Sequence, residues 1–184
     1  MRWGWCSTLP HILKYNLVTE YGDLILASYD NKLCMCDWRW RRMRPTIDKR
    51  ISEGLEAEFR EGESPVILRA VEQLNEYFDG VRSEFDLELL LIGTAFQKSV
   101  WRQLMTIPYG KTDTYIGLAQ KMGKEKALRA VAAANGANAI SIIIPCHRII
   151  GSGRDMVGYA GGVAVKKKLL SLESAIEDNQ ASLF

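Results

Sequence analysis

Hydrophobic and polar positions in the first half of the chain predict a small sheet with one helix packed on it. Two short apolar runs, residues 24–27 and 33–36, flank the turn-favouring residues Asp30-Asn31-Lys32, which indicates a β-hairpin. Residues 15–18 are expected to add a third antiparallel strand. After Ser64-Pro65, apolar residues recur at helical spacing, so we expect a helix that covers the sheet.

Helical spacing returns after Gly93, where the composition of the chain also changes. A helix is expected over residues 96–104, and another begins at Thr114, whose hydroxyl can cap it. Residues 125–135 are expected to form a further short helix, and the last two helices together suggest a helix-turn-helix. Alanines keep the second of these helices slim enough to enter a DNA groove, and they leave Arg129 on its exposed side.

Two further elements flank a Pro-Cys-His-Arg sequence. Residues 140–144 form an apolar, β-branched run that is expected to be a buried strand ended by Pro145. A glycine-rich loop follows this sequence, and residues 163–173 regain helical spacing. Together the patterns predict an α+β fold with a small antiparallel sheet first and a mostly helical part second.

The charge distribution divides the chain at the same place as the composition. Residues 1–92 hold 12 Lys+Arg against 16 Asp+Glu, a net charge of −4, whereas residues 93–173 hold 12 against 4, a net charge of +8. A basic half is typical of a protein that contacts a polyanion, although a solvated basic surface without a partner fits the charge equally well. We therefore predict one domain over 1–92, a second over 93–175 and a C-terminal tail over 176–184.

Length and composition describe an ordinary folded protein with a hydrophobic core. The chain has 184 residues, of which 47% are hydrophobic, and it has no apolar run near the roughly 18 residues needed to span a bilayer. No signal-peptide pattern is visible, so we expect a cytoplasmic protein without a membrane segment. The four cysteines (Cys6, Cys34, Cys36 and Cys146) lack disulfide or zinc spacing, and we predict reduced thiols, no metal and no cofactor.

Cys146 differs from the other three cysteines in its neighbours. A cysteine on a buried strand is usually an inert apolar residue, and that interpretation suits the other three. His147 and Arg148 follow Cys146 directly, and a cation beside a thiol lowers its pKa and makes it more reactive. The chain has two histidines, His11 and His147, so His147 is the favoured base for this thiol.

His147 needs both a route to the sulfur and a carboxylate to orient its ring. Adjacent side chains of an extended segment point to opposite faces, so we expect a bridging water or a turn at Pro145. A carboxylate usually fixes the tautomer of a basic imidazole. Four acids are available in residues 93–173: Asp113, Glu125, Asp155 and Glu173. Glu173 has apolar neighbours, but its pattern also fits an exposed carboxylate at a helix end.

Three blocks of the sequence together resemble the O6-alkylguanine-DNA alkyltransferases, also called methylated-DNA–protein-cysteine methyltransferases. The blocks are residues 93–115, 129–150 and 158–170, in the family's order and spacing. The match to residues 1–92 is looser and rests on the hairpin, the helix and the total length. The resemblance implies an RNase H-like N-terminal part and a winged helix-turn-helix-like C-terminal part.

The resemblance also implies DNA repair by direct reversal. Such a protein flips O6-alkylguanine out of double-stranded DNA and transfers the alkyl group irreversibly to Cys146, once per molecule. His147 would act through water as the base, and Glu173 would orient His147. Asn138 would bond within this site, and Tyr115 would donate a proton or hydrogen bond to the leaving guanine. The protein is expected to be a monomer, and alkylated thymine stays open as a second substrate.

Further roles are implied at positions that match the family. Arg129 would fill the gap that the flipped base leaves. The other expected DNA contacts are Thr114, Tyr115, Ala127, Ala130, Arg148 and Ser152. The expected walls of the substrate pocket are Val157, Tyr159, Ala160, Gly161 and Lys166. Ala137 and Ala139 depart from the usual family residues, and Ala137 is expected to weaken a phosphate contact.

Two alternatives come from other functional classes. One is a DNA-binding regulator whose thiol acts as a sensor, a role that some family members add through an extra N-terminal domain that we do not expect here. The other is a cysteine hydrolase, whose nucleophile is regenerated by water. Repeated turnover on an ester or amide would distinguish the hydrolase from a protein that reacts once.

Overall fold

The computed structural model describes the backbone of residues 10–153 and 155–181, with side chains up to residue 174. Cys6 and residues 182–184 of the predicted tail lie outside the described residues. The strands in the described part are β1 (His11–Leu17), β2 (Leu24–Tyr29), β3 (Lys32–Trp38), β4 (Glu58–Glu61), β5 (Asp113–Thr114) and β6 (Ile149–Ile150). The α-helices there are α1 (Arg44–Leu55), α2 (Pro65–Phe78), α3 (Ala95–Leu104), α4 (Tyr115–Lys121), α5 (Leu128–Gly136) and α6 (Val163–Ala181).

The N-terminal sheet has the strand order β3-β2-β1-β4. The predicted hairpin is β2 and β3, whose two-residue turn places Asp30 and Asn31 at φ +49° and +53°, a geometry that suits tight antiparallel turns. The expectation of a purely antiparallel sheet is wrong, because β4 pairs parallel to β1. Helix α1 lies between β3 and β4 and carries the chain back to the start of the sheet, which allows parallel pairing.

Helix α2 packs on the sheet, as the helical spacing predicts. The Ser64 hydroxyl caps it by accepting a hydrogen bond from the Ile67 amide at 3.3 Å, and Pro65 occupies the first turn. Ile67, Leu74 and Tyr77 on its inner face are fully buried. The α+β class, with a small sheet and helices followed by a mostly helical part, is confirmed.

The second half contains the predicted pair of short helices. The Thr114 hydroxyl caps α4 by accepting from the Gly117 amide at 2.9 Å, and Gly123 follows α4 at φ +61°. The helix expected over 125–135 begins as a 3₁₀ turn, Glu125–Ala127, before α5 proper. In the described residues no helix is both long and apolar enough to cross a membrane.

The segment from Ile140 to Ile144 is not the strand that its β-branched residues predict. Ile142 has φ +72°, so the chain bends back and Ser141 bridges to Ile144. Hydrogen bonds with Cys36 of β3 hold the segment instead: the Ser141 amide donates to the Cys36 carbonyl at 2.6 Å. The apolar side chains are therefore buried by packing on the first half of the chain, without an extended pairing.

One hydrophobic cluster joins the two halves. It includes Leu26 and Ile67 from the first half and Val100, Ile144 and Leu169 from the second, all with 0% exposure. Helix α6, expected over 163–173, continues to Ala181. The boundary near Gly93 is therefore a change of composition and secondary structure, and the core is continuous across it.

Candidate active site

A cavity of about 300 Å³ has Cys146 in its wall. That volume lies at the lower end of the range for sites that bind small organic groups. Tyr115, Asn138 and Tyr159 of the second half contribute to the lining, and so does the segment between β3 and α1. The cavity is therefore built where the two halves meet.

The three residues Cys146–Arg148 form one 3₁₀ turn directly after Pro145. The Cys146 amide donates to the Ile144 carbonyl at 2.7 Å, and all three side chains are buried. The sequence suggested either a bridging water or a turn at Pro145. The structure has the turn, but His147 Nδ1 makes no direct hydrogen bond to the Cys146 thiol. The alternation of an extended segment therefore does not apply to Cys146 and His147.

Glu173 of α6 determines which ring nitrogen of His147 carries the proton. Its carboxylate oxygen lies 2.8 Å from His147 Nε2, with both side chains at 0% exposure. Burial raises the pKa of Glu173, but the hydrogen bonds and charges of His147 and Arg148 outweigh it and lower the pKa to about 2. An ionised carboxylate only accepts hydrogen bonds, so Nε2 carries the proton.

The other ring nitrogen of His147 is available as a base. Burial lowers the pKa of His147 more strongly than Glu173 raises it, so the imidazole is neutral at pH 7. With the proton on Nε2, Nδ1 has a free lone pair, and this atom is buried without a hydrogen-bond partner among the described residues. The ring can therefore take one proton at Nδ1, and Glu173 stabilises the imidazolium that results.

Three further donors surround the Glu173 carboxylate. The Tyr77 hydroxyl of α2 donates to it at 2.8 Å, the Gly110 amide at 3.2 Å, and the Arg148 guanidinium through Nε and Nη2 at 3.0 Å each. Sequence reasoning did not find Tyr77, because nothing in the local pattern of a core-facing tyrosine on a helix indicates a contact 96 positions away. Glu173 is thus a fully buried, fully bonded anion.

The Cys146 thiol is protonated in the resting protein. Burial is the main influence and raises its pKa, while hydrogen bonds from Asn138 and Ser141 lower it. The expectation that adjacent cations lower the pKa of this thiol is wrong, because His147 is neutral and Arg148 is paired with Glu173. The thiol therefore needs a base to become a nucleophile.

Asn138 is held in the site by backbone bonds and by arginines of the first half. Its side-chain amide donates to the Ile144 carbonyl at 3.0 Å and its oxygen accepts from the Ile140 amide at 2.9 Å. Arg41 donates to the carbonyls of Gly136 and Asn138, and Arg50 donates to the Ala137 carbonyl at 3.0 Å. Three successive carbonyls, 136–138, are thus bound from the N-terminal half.

Asp37 at the end of β3 supports this arrangement. It has 0% exposure and accepts from Arg41 at 2.9 Å, Arg44 at 3.0 Å and the Ser141 hydroxyl at 3.0 Å. The sequence analysis assigned no role to Asp37 or Arg41. Their spacing of four residues at a strand end is common on surfaces, and only the folded chain shows that both are buried.

Comparison with known proteins gives a consistent result. The family described as 6-O-methylguanine DNA methyltransferase, DNA binding domain, matches residues 95–175. A Mycobacterium bovis protein named methylated-DNA–protein-cysteine methyltransferase is 50% identical over 115 residues, which cover 62% of this chain and 70% of that protein. A protein of the same name from Methanosarcina barkeri is 54% identical over 104 residues, 56% of this chain and 66% of that protein.

The fold agrees with a solved structure as well. The crystal structure of Mycobacterium tuberculosis OGT in complex with DNA superposes with a TM-score of 0.76 at 38% identity, covering 90% of this chain and 94% of that one. The chain belongs to the methylated-DNA–protein-cysteine methyltransferase family. The resemblance inferred from the three sequence blocks is therefore confirmed.

The methyltransferase chain brings the five predicted catalytic residues into one region. Cys146, Asn138 and Tyr115 line the cavity, His147 follows Cys146 in the same turn, and Glu173 bonds to His147. Burial raises the pKa of Tyr115, so its hydroxyl keeps a proton that it can donate. The five side chains therefore lie close enough together to act in one site, and their individual roles are predictions.

The predicted DNA contacts of the methyltransferase fall into two groups. Arg129, Ala130 and Ser152 are exposed. Thr114, Tyr115 and Ala127, at the starts of α4 and α5, are half-buried. Arg148 does not agree with its prediction. It is buried, and its guanidinium is used by Glu173 and by the Ile107 carbonyl at 2.6 Å, so it has a structural position inside the site.

The predicted pocket walls of the methyltransferase also divide. Tyr159 and Ala160 line the cavity, and Gly161 packs so closely on Trp38 that a Cβ atom would lie 2.6 Å from the indole. Val157 and Lys166 are outside the lining. Lys166 of α6 is fully buried and donates to the carbonyls of Ile149 at 2.5 Å and Val157 at 2.9 Å. These hydrogen bonds connect the glycine-rich loop to α6.

The remaining histidine and cysteines of the methyltransferase lie away from this chemistry. His11 is exposed on β1, and burial raises the pKa of the Cys34 thiol to about 12, which suits an inert residue. Cys36 is buried too, and burial raises its pKa. Among the residues that the structure describes, no cluster of three or more His, Cys, Asp or Glu side chains is arranged to hold a metal ion.

Proposed function

We propose that this family member repairs O6-alkylguanine in double-stranded DNA by transferring the alkyl group to Sγ of Cys146. The observation that carries the proposal is the site itself: a protonated thiol in the wall of a cavity, beside a neutral imidazole whose free Nδ1 can accept a proton. Buried Glu173 holds that imidazole from the other side.

The proposed transfer is a displacement at the alkyl carbon. His147 Nδ1 takes the proton of the Cys146 thiol, through a water molecule, and the thiolate attacks the carbon. The S–C bond forms as the C–O6 bond breaks, and the guanine leaves with the electron pair. Tyr115 donates a hydrogen bond or proton to it, and the proton that His147 took from Cys146 finally replaces the lost alkyl group, either on the guanine or by reprotonating Tyr115. The net products are an S-alkylcysteine and unmodified guanine.

Access to Cys146 requires the target nucleotide to leave the stack. The Cys146 side chain is 4% exposed, so a base inside a duplex cannot reach it, and extrusion of the nucleotide is the available route. We infer that α4 and α5 work as a helix-turn-helix, with exposed Arg129 of α5 entering the gap. The net charge of +8 over residues 93–173 supports contact with phosphates.

The chemistry implies one reaction per molecule. A thioether has no good leaving group, so Cys146 is not regenerated and the protein is consumed. The nucleophile must also start as a free thiol, and the described cysteines Cys34, Cys36 and Cys146 are all free, which supports a reducing location such as the cytoplasm. We further propose that the protein acts as a monomer. Alkylated thymine is a candidate second substrate.

Replacement of the acceptor tests the proposal. Cys146→Ala and Cys146→Ser should abolish transfer of a labelled methyl group from duplex DNA, because the sulfur is the acceptor. Both variants should keep nearly parental affinity for the duplex, because the buried sulfur is not a DNA contact. Retention of the label by either variant would overturn the assignment of Cys146.

A further inference from the structure

A basic and aromatic segment of the first half lies at the mouth of the reaction cavity. Residues 39–43, called the rim segment here, have the sequence Arg-Trp-Arg-Arg-Met and connect β3 to α1. Arg41, Arg42 and Met43 line the same cavity as Cys146. Nothing in the sequence blocks that match the family covers this segment, and it belongs to the half of the chain with a net charge of −4.

The arginines of the rim segment differ in what they contact. Arg41 is buried and pairs with Asp37, which Arg44 just after the segment also contacts. Arg39 and Arg42 are exposed, and neither makes an ion pair with any residue that the structure describes. Two cations of the rim segment are therefore free to bind an anion from solution.

The hydrophobic side chains of the rim segment are also unusually exposed. Trp40 is 80% exposed and Met43 is 48% exposed, and the Arg39 guanidinium lies 5.1 Å from the Trp40 ring. One exposed tryptophan alone would need no explanation. An exposed indole among unpaired arginines, at the edge of a cavity proposed to receive a nucleobase, is suited to packing on a nucleic-acid strand.

We propose that the rim segment is a second DNA-binding surface, in which Arg42 binds a phosphate beside the flipped nucleotide. This rests on the proposed function, because it requires the target base to occupy the cavity. A cavity of about 300 Å³ accommodates the base, and the sugar and its two phosphates stay at the mouth. Arg42 is exposed and lines this cavity, so we expect its guanidinium to lie near one of these phosphates.

The rim segment would thus bind the DNA strand that carries the flipped nucleotide, from the N-terminal half of the protein. A half with net negative charge repels DNA unless a cation is placed at the contact, and exposed Arg42 is placed at the cavity. Trp40 and Arg39 would cover the neighbouring sugar or base of the same strand. The extruded nucleotide would then be held between α5 and the rim segment.

The test measures the salt dependence of binding to a duplex with one O6-methylguanine. All proteins carry Cys146→Ser, so that no transfer occurs during the titration. Binding weakens with salt, and each phosphate contact adds about 0.9 to the steepness of log K against log salt. Arg42→Ala should therefore make this dependence less steep by about 0.9. Its affinity at 0.1 M salt should be about eightfold lower than that of the parent. Arg42 is exposed and unpaired, so this variant should fold normally.

Lys32→Ala is the matched control. Lys32 is also exposed, but it lies at the opposite end of β3 from the rim segment, roughly 20 Å from Trp38. The Lys32→Ala variant should show the same salt dependence of binding as the parent. An Arg42→Ala slope equal to that of Lys32→Ala would overturn the proposal and leave the rim segment as a solvated basic loop.

The position of the contact is tested by neutralising single phosphates. A methylphosphonate placed at each phosphate next to the lesion should, at one position, weaken the parent by about eightfold and leave Arg42→Ala unaffected. Equal losses in both proteins at every position would contradict the proposed phosphate. These readings do not depend on alkyl transfer, so a failure of the parent with Cys146 intact to react would reject the proposed function separately.

Discussion

Replacement of Glu173 by glutamine should destabilise the protein strongly and change the way its stability depends on pH. Glu173→Gln keeps the size of the side chain but removes the negative charge that pairs with Arg148 and orients His147. The neighbouring donors lower the pKa of Glu173 from 4.5 to about 2. At about 1.4 kcal/mol per pKa unit, the ionised form contributes about 3 kcal/mol to the free energy of unfolding.

The sign of the pH dependence follows from that shift. The pKa of Glu173 is lower in the folded protein, so the folded state binds fewer protons and its stabilisation is complete above pH 4.5. It is lost as the pH falls from 4.5 towards 2. His147, whose pKa burial also lowers, adds a loss in the same direction that begins near its ordinary value of 6.5.

Urea unfolding at pH 7, 5 and 3 measures both effects. At pH 7 the variant should lose about 3 kcal/mol, which shifts the urea midpoint by about 1.5 M if the m-value is about 2 kcal/mol/M. Between pH 5 and 3 the parent should lose stability more steeply than Glu173→Gln, because the variant has no carboxylate to protonate. Glu53→Gln, on the exposed face of α1, should unfold like the parent at each pH.

A parental urea midpoint for Glu173→Gln would refute this reasoning. It would mean that the buried network gains as little from its charge as an exposed ion pair does. A second result would also contradict it: a lower urea midpoint for Glu173→Gln combined with the same loss of stability as the parent between pH 5 and 3. The destabilisation would then come from packing and not from the carboxylate.

Three further predictions concern DNA and the arginine network. Arg129→Ala should slow repair of duplex DNA strongly and the reaction with free O6-benzylguanine far less, because only the duplex requires unpairing, which costs about a few kcal/mol. Rates on both substrates measure this, and equal losses would remove the gap-filling role. Arg41→Ala should lower the thermal midpoint and slow both reactions, because Asp37 and the carbonyls of Gly136 and Asn138 lose their donor. An unchanged benzylguanine rate would show that Asn138 is positioned without Arg41. Duplex binding should weaken steeply with salt, since the +8 part of the chain neutralises several phosphates, and a flat response in an anisotropy titration would contradict this.

Elements with local signals were predicted well from the sequence. The hairpin has its turn residues at positive φ, α2 and α4 have hydroxyl caps, and α3 has apolar residues at regular spacing. Each of these patterns involves residues that are close in sequence, so it can be recognised without knowing the rest of the fold. Cys146 was also singled out from the residues next to it, although the expected effect of those residues on its pKa is wrong.

Elements that depend on distant contacts were predicted poorly. Helix α1 was missed because only Ile47 and Ile51 of its 12 residues are buried, which gives a weak helical pattern. Residues 140–144 look like a strand, yet hydrogen bonds to Cys36 and the bend at Ile142 decide their path. Tertiary contacts override local propensity in both cases.

The site shows the same division at the level of single side chains. Arg148 was assigned to DNA from the family resemblance, and only its partner Glu173 explains why this arginine is buried. Tyr77 and Asp37 come from the first half, where the sequence carries no catalytic motif. These hydrogen bonds join residues about 100 positions apart, so no local pattern in the sequence predicts them.

The most direct test of the account is the mass of the protein after reaction with excess O6-methylguanine duplex. Intact-protein mass spectrometry should show one added methylene unit per molecule, and peptide mapping should place it on Cys146. The amount of repaired guanine should equal the amount of protein, however long the incubation continues. Repair that exceeds the amount of protein, or a methyl group on a residue other than Cys146, would contradict the account.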